Sequence, residues 1–470
     1  MPDEIVISPV TRIEGHAEIT VELGDDGRAK GARFHVHNFR GFERFLEGMP
    51  ADDLPQLTCR ICGICYSAHG LASVKAIESA WGIKPSPEAR KVRELIFFGQ
   101  YIESHALSLA VLSLPDFIYP GQGPEKRNIV NLLQTHEDVA KKLIDLRQSG
   151  SMITRVVGGR PVHPVNFVPG GVVRVPTPEE RKELLKGLEG KDAVLVGLWN
   201  ILKEVLLKNP EFMSLGATET HYLAMNDEGK IAFYDGHLSI MTPDGKIKET
   251  FPPEDYFKHV AEEEHAFSYM KFPVLVTGEK FRVGPLARVN IAKLCGTPKA
   301  DEILSEAREI VGFPTNTTMA YHVARLIETV YSWEKAVELL NDDDVSSPKA
   351  LFAGIPAKAG RGIGIVEAPR GVLVHQYEFG DTGRLIKANF VVATQHNNHA
   401  INDGLSATAR ELITSPKVPE EILNRLEMIA RAYDPCLACA THAIGVRPFT
   451  IELVGPDGKT IRRWERNGRV

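Results

Sequence analysis

The sequence has no run of about 18 uncharged apolar residues, the shortest length that reads as a membrane-spanning helix, so no membrane span is expected. No export signal is expected either, because Met1-Pro2-Asp3-Glu4 opens with acids where a signal peptide carries positive charge. Positive charge is not in excess: Lys plus Arg number 55 against 61 Asp plus Glu, a net charge of −6. That excludes binding to nucleic acid or an anionic membrane through bulk charge. Repeats and low-complexity tracts are missing. Cysteine is scarce, six in 470 residues, and five of the six fall in two tight clusters where a disulfide framework would spread them. These absences point to a cytoplasmic protein with reduced thiols whose partners are met through specific surfaces.

What remains is an ordinary globular composition, 43% hydrophobic and 25% charged. The length allows about three domains or one large helical domain with insertions. Residues 1–40 read as a small antiparallel sheet, with strand alternation in Ala17-Glu18-Ile19-Thr20-Val21-Glu22-Leu23 and a turn at Gly24-Asp25-Asp26-Gly27. Helical spacing covers 62–83, 88–114, 125–147 and 178–208, the last opened by Thr177, Pro178 and a capping-box Glu180. The Gly-, Pro- and Val-rich stretch 150–176 predicts an irregular connection without helix. A mostly β insertion is expected over 215–292, with a Pro243-Asp244-Gly245 turn. Helices follow at 300–311, 316–341 and 418–432, and strands at Gly364-Ile365-Val366-Glu367 and Phe390-Val391-Val392-Ala393.

The chemistry lies in the cysteine clusters, Cys59-Arg60-Ile61-Cys62-Gly63-Ile64-Cys65 followed by His69, and Asp434-Pro435-Cys436-Leu437-Ala438-Cys439 followed by His442. Two thiolates three residues apart can chelate one soft metal, and two such pairs supply four ligands. A structural zinc site is one reading, although zinc ribbons separate their pairs by about 15–20 residues, and Cys65 and Cys436 are 371 apart. An iron-sulfur cluster is another, but a fourth nearby cysteine is missing. If a helix begins near Cys62, then Cys62, Cys65 and His69 share one face, and the imidazole becomes a hydrogen-bond donor to the metal-bound sulfurs.

These residues resemble the large, catalytic subunit of nickel-iron hydrogenases. The two cysteine motifs match its hallmark motifs, and Thr11-Arg12-Ile13-Glu14-Gly15-His16, Phe39-Arg40-Gly41-Phe42-Glu43 and Glu367-Ala368-Pro369-Arg370-Gly371 appear in family order. The resemblance implies an α+β, mainly helical fold, with a central long antiparallel helix bundle, small peripheral β-sheets and a single catalytic unit over 1–442. It implies that all four cysteines hold nickel, Cys62 and Cys436 terminally. Cys65 and Cys439 would bridge to an iron carrying carbon monoxide and cyanide. Cys436 and Glu14 then become the first stations for the proton from dihydrogen, and Arg370, held by Pro369 and paired with Asp434, stands over the open face of the centre. Glu43, His442 and a backbone carbonyl near Val392 would hold magnesium. An acidic residue common in the family is replaced here by Ser104, with Glu103 preceding it.

The resemblance also implies that residues 443–470 are an extension removed by a maturation endopeptidase, whereas the bare sequence of that tail reads as a β-hairpin that stays attached. The expected function is reversible heterolytic cleavage of dihydrogen to protons and electrons. No second cysteine set exists for an electron relay, so an iron-sulfur small subunit is implied, with acceptor subunits of the heterodisulfide-reductase-linked type or flavin and nicotinamide modules. The deazaflavin-non-reducing, cytosolic multi-subunit group is the nearest match. Two other readings remain, a non-catalytic electron-transfer or quinone-site subunit of a respiratory complex and a four-cysteine zinc protein. Cys59 and Cys295 receive no role.

Overall fold

Glycine at every second position of Gly360-Arg361-Gly362-Ile363-Gly364 decides how the middle of the molecule is packed. A side chain at Gly360, Gly362 or Gly364 would lie 2.5, 2.1 or 2.1 Å from the backbone oxygens of Ala80, Ala76 and Ala72. The strand Gly360–Ala368 therefore lies directly on the helix Tyr66–Trp81, whose small residues recur every four positions. That strand pairs antiparallel with Gly371–Phe379, which pairs antiparallel with the edge strand Leu385–Val391. The computed structural model describes residues 4–352, 354 and 356–441, and the backbone of 449–454 and 460–466.

Beside this unit stands a bundle of long helices, Pro87–Leu107, Glu137–Gly158, Lys191–Lys208 and Ala320–Asn341. Their apolar stripes, among them Ile96, Phe98, Leu146, Ile153, Leu198, Ile327 and Val330, meet in one core. The stretch Pro87–Ile118 is long and apolar enough by composition to cross a membrane, but most of it is buried inside the protein. It is not one regular helix. A π turn, Ser108–Ser113, precedes Leu114–Ile118, and the Arg12 guanidinium donates to the Leu112 carbonyl at 2.6 Å.

Three helix readings need correcting. The segment expected over 125–147 is two helices, Ile129–Thr135, capped by Asn128, and Glu137–Gly158. The second runs into the stretch expected to be irregular, because the glycine that ends it is Gly159 at φ 83°. The segment 178–208 has the capping box at Thr177 and Glu180 but breaks at Gly190, φ 70°, into Pro178–Leu188 and Lys191–Lys208. A further helix, Asn398–Leu412, is not among those expected.

Strands Glu4–Ile7, Ala17–Leu23 and Ala29–Val36 form a three-stranded antiparallel sheet. Within 215–292, strands His221–Asp227, Lys230–Ile231, His237–Met241, Ile247–Phe251 and Phe281–Arg282 make a five-stranded sheet, followed by the helix Pro285–Ile291. Val260–Glu263 and Phe272–Leu275 form a separate antiparallel pair. Beyond residue 441, the strands Phe449–Val454 and Thr460–Arg466 pair antiparallel; His442 and the Pro456-Asp457-Gly458 turn lie outside the described residues.

Candidate metal centre

Both cysteine motifs fold as turns that enter a helix. Cys65 is the residue before the helix Tyr66–Trp81, and Cys436 the residue before the short helix Leu437–Ala440. The helix expected from Cys62 starts only at Tyr66, because the Cys62 sulfur accepts the backbone N–H groups of Ile64 and Cys65 at 3.2 and 3.3 Å and holds 62–65 as a turn. A sulfur met by backbone N–H groups is stabilised as the thiolate. Asp434 enters the second motif at φ 51°, a conformation that non-glycine residues rarely adopt and that here turns the chain towards the first motif.

The four sulfurs converge. Cys62 and Cys436 are 3.1 Å apart, Cys65 and Cys439 2.8 Å, Cys436 and Cys439 3.0 Å, and Cys65 and Cys436 3.7 Å. All lie within 4.8 Å of one another and all four residues are buried. Burial opposes ionisation of every one of them and pushes the Cys436 and Cys439 thiols well up. Against burial, hydrogen bonds from Cys436, Cys439 and Cys65 draw Cys62 well below the ordinary thiol value. Four thiolates this close coexist only around a cation, and a donor set of four sulfurs suits a soft or borderline metal. The residues present fit a thiolate-bound metal centre.

The N-terminal motif closes one side. Glu14 bridges to Cys436 along the backbone, accepts from Leu437 N at 3.2 Å through its carbonyl, and accepts from Ala438 N at 3.0 Å through its carboxylate. Burial and the neighbouring Cys62 raise its carboxyl above the ordinary range. Thr394 accepts the Cys436 N–H at 3.0 Å.

On another side Arg370, 3% exposed, donates from Nε to the Asp434 carbonyl at 2.7 Å and from Nη1 to the Ser104 hydroxyl at 3.2 Å, with Nη2 2.8 Å from the Asp434 carboxylate. Burial opposes its charge, yet Asp434 and the sulfurs of Cys436, Cys65 and Cys62 hold the guanidinium protonated. Ser104 thus takes up the cation at the place where the resemblance implies an acidic residue. Glu103 is engaged elsewhere, by Tyr66 and Arg147 at 2.7 Å each.

His69 reaches the site from inside its helix, its Nε2 3.3 Å from the Cys439 sulfur. Its Nδ1 meets His375 at 3.0 Å, and His375 meets the Tyr377 hydroxyl at 3.0 Å. Sequence reasoning missed His375. It lies on the alternating strand Gly371–Phe379 and carries no local signal. Arg288 was missed too: fully buried, it donates to the Pro369 carbonyl at 3.0 Å and the Ala368 carbonyl at 3.1 Å, and so holds the turn that presents Arg370. Gly284 allows that turn its place, since a Cβ there, at φ 97°, would lie 2.6 Å from the Arg370 oxygen.

Glu43 accepts the Phe390 N–H at 2.9 Å. The carbonyl of Val392, expected beside it, instead accepts from Gln395 N at 2.9 Å and meets His396 Nδ1 at 3.0 Å, as the start of the helix Ala393–His396. Along a strand the N–H and C=O of one residue point to the same side. Phe390 therefore offers its carbonyl on the outer edge of the sheet that faces Glu43.

The family model described as nickel-dependent hydrogenase matches residues 40–141 and 200–442, and one described as HoxL-like matches residues 4–39. The chain belongs to the nickel-dependent hydrogenase family. It is similar to the vhu-type F420-non-reducing hydrogenase subunit of Methanocaldococcus jannaschii, 42% identical over 87% of this chain and 99% of that one. The corresponding F420-non-reducing hydrogenase subunit of Methanothermobacter thermautotrophicus is 38% identical, covering 98% of this chain and 99% of that one. The beta subunit of the NAD-reducing hydrogenase HoxS of Cupriavidus necator is 35% identical with the same coverage. A solved NAD+-reducing NiFe-hydrogenase in the H2-reduced state superposes with a TM-score of 0.90 at 32% identity, over 94% of this chain and all of that one. The fold is that of a nickel-iron hydrogenase large subunit, and the protein is an oxidoreductase of that class. The four sulfurs fit a nickel-iron site, and neither the respiratory-complex reading nor the zinc reading is favoured.

Proposed function

We propose that this chain is the catalytic subunit of a cytoplasmic, multi-subunit hydrogenase that reversibly splits dihydrogen into protons and electrons. The observation that carries this is the convergence of four sulfurs with one carboxyl and one guanidinium beside them. When bound, the nickel-iron centre, its iron carrying carbon monoxide and cyanide, supplies the heterolytic cleavage. Cys62, Cys65, Cys436 and Cys439 would hold the nickel, and Cys65 and Cys439 would hold the iron as well. Cys436 accepts the proton, and Glu14, its neighbour with a raised carboxyl pKa, takes it onward. Arg370, fixed by Asp434 and Ser104 and carried by Pro369, keeps a cation over the site without reorganisation. His69, its Nε2 3.3 Å from the Cys439 sulfur, is placed to donate to it and so to favour the thiolate.

Glu43 and the Phe390 carbonyl, in place of Val392, would be the oxygen ligands for magnesium; His442, the third protein ligand that the resemblance implies, lies outside the described residues. Electrons leave through an iron-sulfur small subunit. Relatives named F420-non-reducing favour an acceptor of the heterodisulfide-reductase-linked type over a deazaflavin, and the NAD-reducing relative keeps a nicotinamide module as the alternative. Residues 443–470 are a maturation extension cut by an endopeptidase after His442, a reading supported by the end of the family match at 442. The complex purified anaerobically will contain nickel and iron and absorb in the infrared where metal-bound carbon monoxide and cyanide do. Zinc in their place without those bands would overturn the reading.

A further inference from the structure

Away from the four sulfurs, two imidazoles and a carboxylate meet. Glu263 ends the strand Val260–Glu263, His265 follows it in the loop to Phe272–Leu275, and His399 stands in the first turn of Asn398–Leu412. The Glu263 Oε2 lies 3.7 Å from His265 Nε2 and 3.6 Å from His399 Nε2, and one ligand atom from each residue falls within 4.8 Å of the others. Phe272 holds both rings edge-on, with centroids 4.3 and 5.0 Å away, and the imidazoles stand at 89° to each other.

Both Nε2 atoms are sealed from solvent and neither has a hydrogen-bond partner. Buried polar atoms are rarely left so. Here two of them, on rings that meet edge to face, approach one carboxylate oxygen at a distance too long for a hydrogen bond. A cation between the three groups satisfies all of them at once. Zinc bonds to histidine nitrogen and carboxylate oxygen are about 2.0–2.2 Å, so a tetrahedral ion spaces its ligands roughly 3.3–3.5 Å apart. The two oxygen-to-nitrogen spacings need a closure of about 0.1–0.4 Å to match that, and the ligand atoms of the two imidazoles lie within 4.8 Å of each other. Calcium and magnesium, which take oxygen ligands, do not suit two imidazoles.

We infer that Glu263, His265 and His399 form a site for a divalent ion of the zinc class, separate from the four-sulfur centre, with water as the fourth ligand. The ion ties the loop after Glu263 to the head of the helix Asn398–Leu412. That loop is already joined to the N-terminal sheet, since the Phe267 carbonyl meets His35 Nδ1 at 3.0 Å and Tyr269 N donates to the Val36 carbonyl at 3.0 Å. The clip therefore steadies the strand end that leads into Arg40 and Glu43.

The test is titration of the anaerobically purified, nickel-loaded complex with Zn2+ against a fluorescent zinc indicator, after a mild chelator wash, with Co2+ as a visible-absorption probe. The wild type is expected to take up one zinc per chain and to give a tetrahedral cobalt spectrum. H265Q/H399Q loses both while its dihydrogen oxidation rate stays unchanged. If the double variant does not assemble, Glu263→Gln alone must weaken zinc by at least about tenfold. No zinc uptake by the wild type at micromolar metal, or the same affinity in these variants, would overturn the inference.

Discussion

Replacing Arg288 with methionine gives a loss whose size and pH dependence both follow from its partners. The guanidinium faces two fully buried carboxylates, Glu328 at 2.5 and 2.7 Å and Glu367 at 2.6 Å. One cation does not neutralise both. Burial works against charge on Glu328, but Arg288 and His105 hold its carboxyl below the ordinary value. Burial pushes Glu367 up to about 7 in spite of Arg288. A carboxyl raised in the native state costs stability as the pH climbs from its unfolded value to its native one, and no more above that. With respect to Glu367 the wild type is therefore flat above pH 7.

In R288M both carboxyls lose their cation and both rise, so the decline continues above pH 7 by up to about 1.4 kcal/mol per pH unit for each. Breaking a buried pair by removing one partner costs about 3–5 kcal/mol. For 470 residues the unfolding entropy is roughly 1 kcal/mol/K, so the midpoint falls by about 3–5 °C. Circular dichroism melts of the anaerobic complex between about pH 6 and pH 9 read this directly. The deficit should widen with pH, and adding E328Q and E367Q should narrow it. A deficit that is absent, or the same at every pH, would refute the reasoning.

E14Q removes the carboxyl beside Cys436, so dihydrogen oxidation should fall by about 10²–10⁴ while nickel and iron, measured by elemental analysis, stay in place; loss of nickel would make Glu14 structural instead. R370K keeps the charge but not the fork that holds the Asp434 carbonyl, its carboxylate and Ser104 together, and at least about tenfold of the activity should go with it at unchanged metal content. Full activity in the lysine variant would reduce Arg370 to a point charge. H69A should shift the infrared bands of the iron ligands, because the Cys439 sulfur loses a donor; unmoved bands would deny His69 that role.

What is legible in the sequence is what is local. A C-x-x-C pair declares its chemistry within four residues, and Thr177 with Glu180 declares a helix start within the same span. Misreadings arise where a tertiary partner decides. A helix from Cys62 satisfies the periodicity, yet its own sulfur competes for the N–H groups that the first turn would use. The neighbour of Glu43 is not legible either: counting from Arg370 points to Val392, and the edge of a sheet sets the Phe390 N–H against Glu43. Arg288 and His375 carry no sequence signal, because a buried Arg in a helix or a His in a strand becomes meaningful only when the turn it holds, or the imidazole it meets, is known.

The C-terminal motif shows how far the centre depends on the finished fold. Its helix, Leu437–Ala440, is a single turn, too short to be stable alone. Its backbone groups are met from outside: Cys436 N by Thr394, Leu437 N and Ala438 N by Glu14, the Ala440 carbonyl by Gln395 at 3.2 Å and the Thr441 carbonyl by Arg40 N at 2.9 Å. Cys62 and Cys65, by contrast, sit at the head of a 16-residue helix backed by a glycine-lined strand. Their turn is also met from outside, at the Ile64 carbonyl by Gln100 at 2.7 Å and at the Ile61 carbonyl by Arg40, so both sulfur pairs take their places only in the finished fold. Metal held by all four links the two ends of the chain, so binding it and completing the fold stabilise each other.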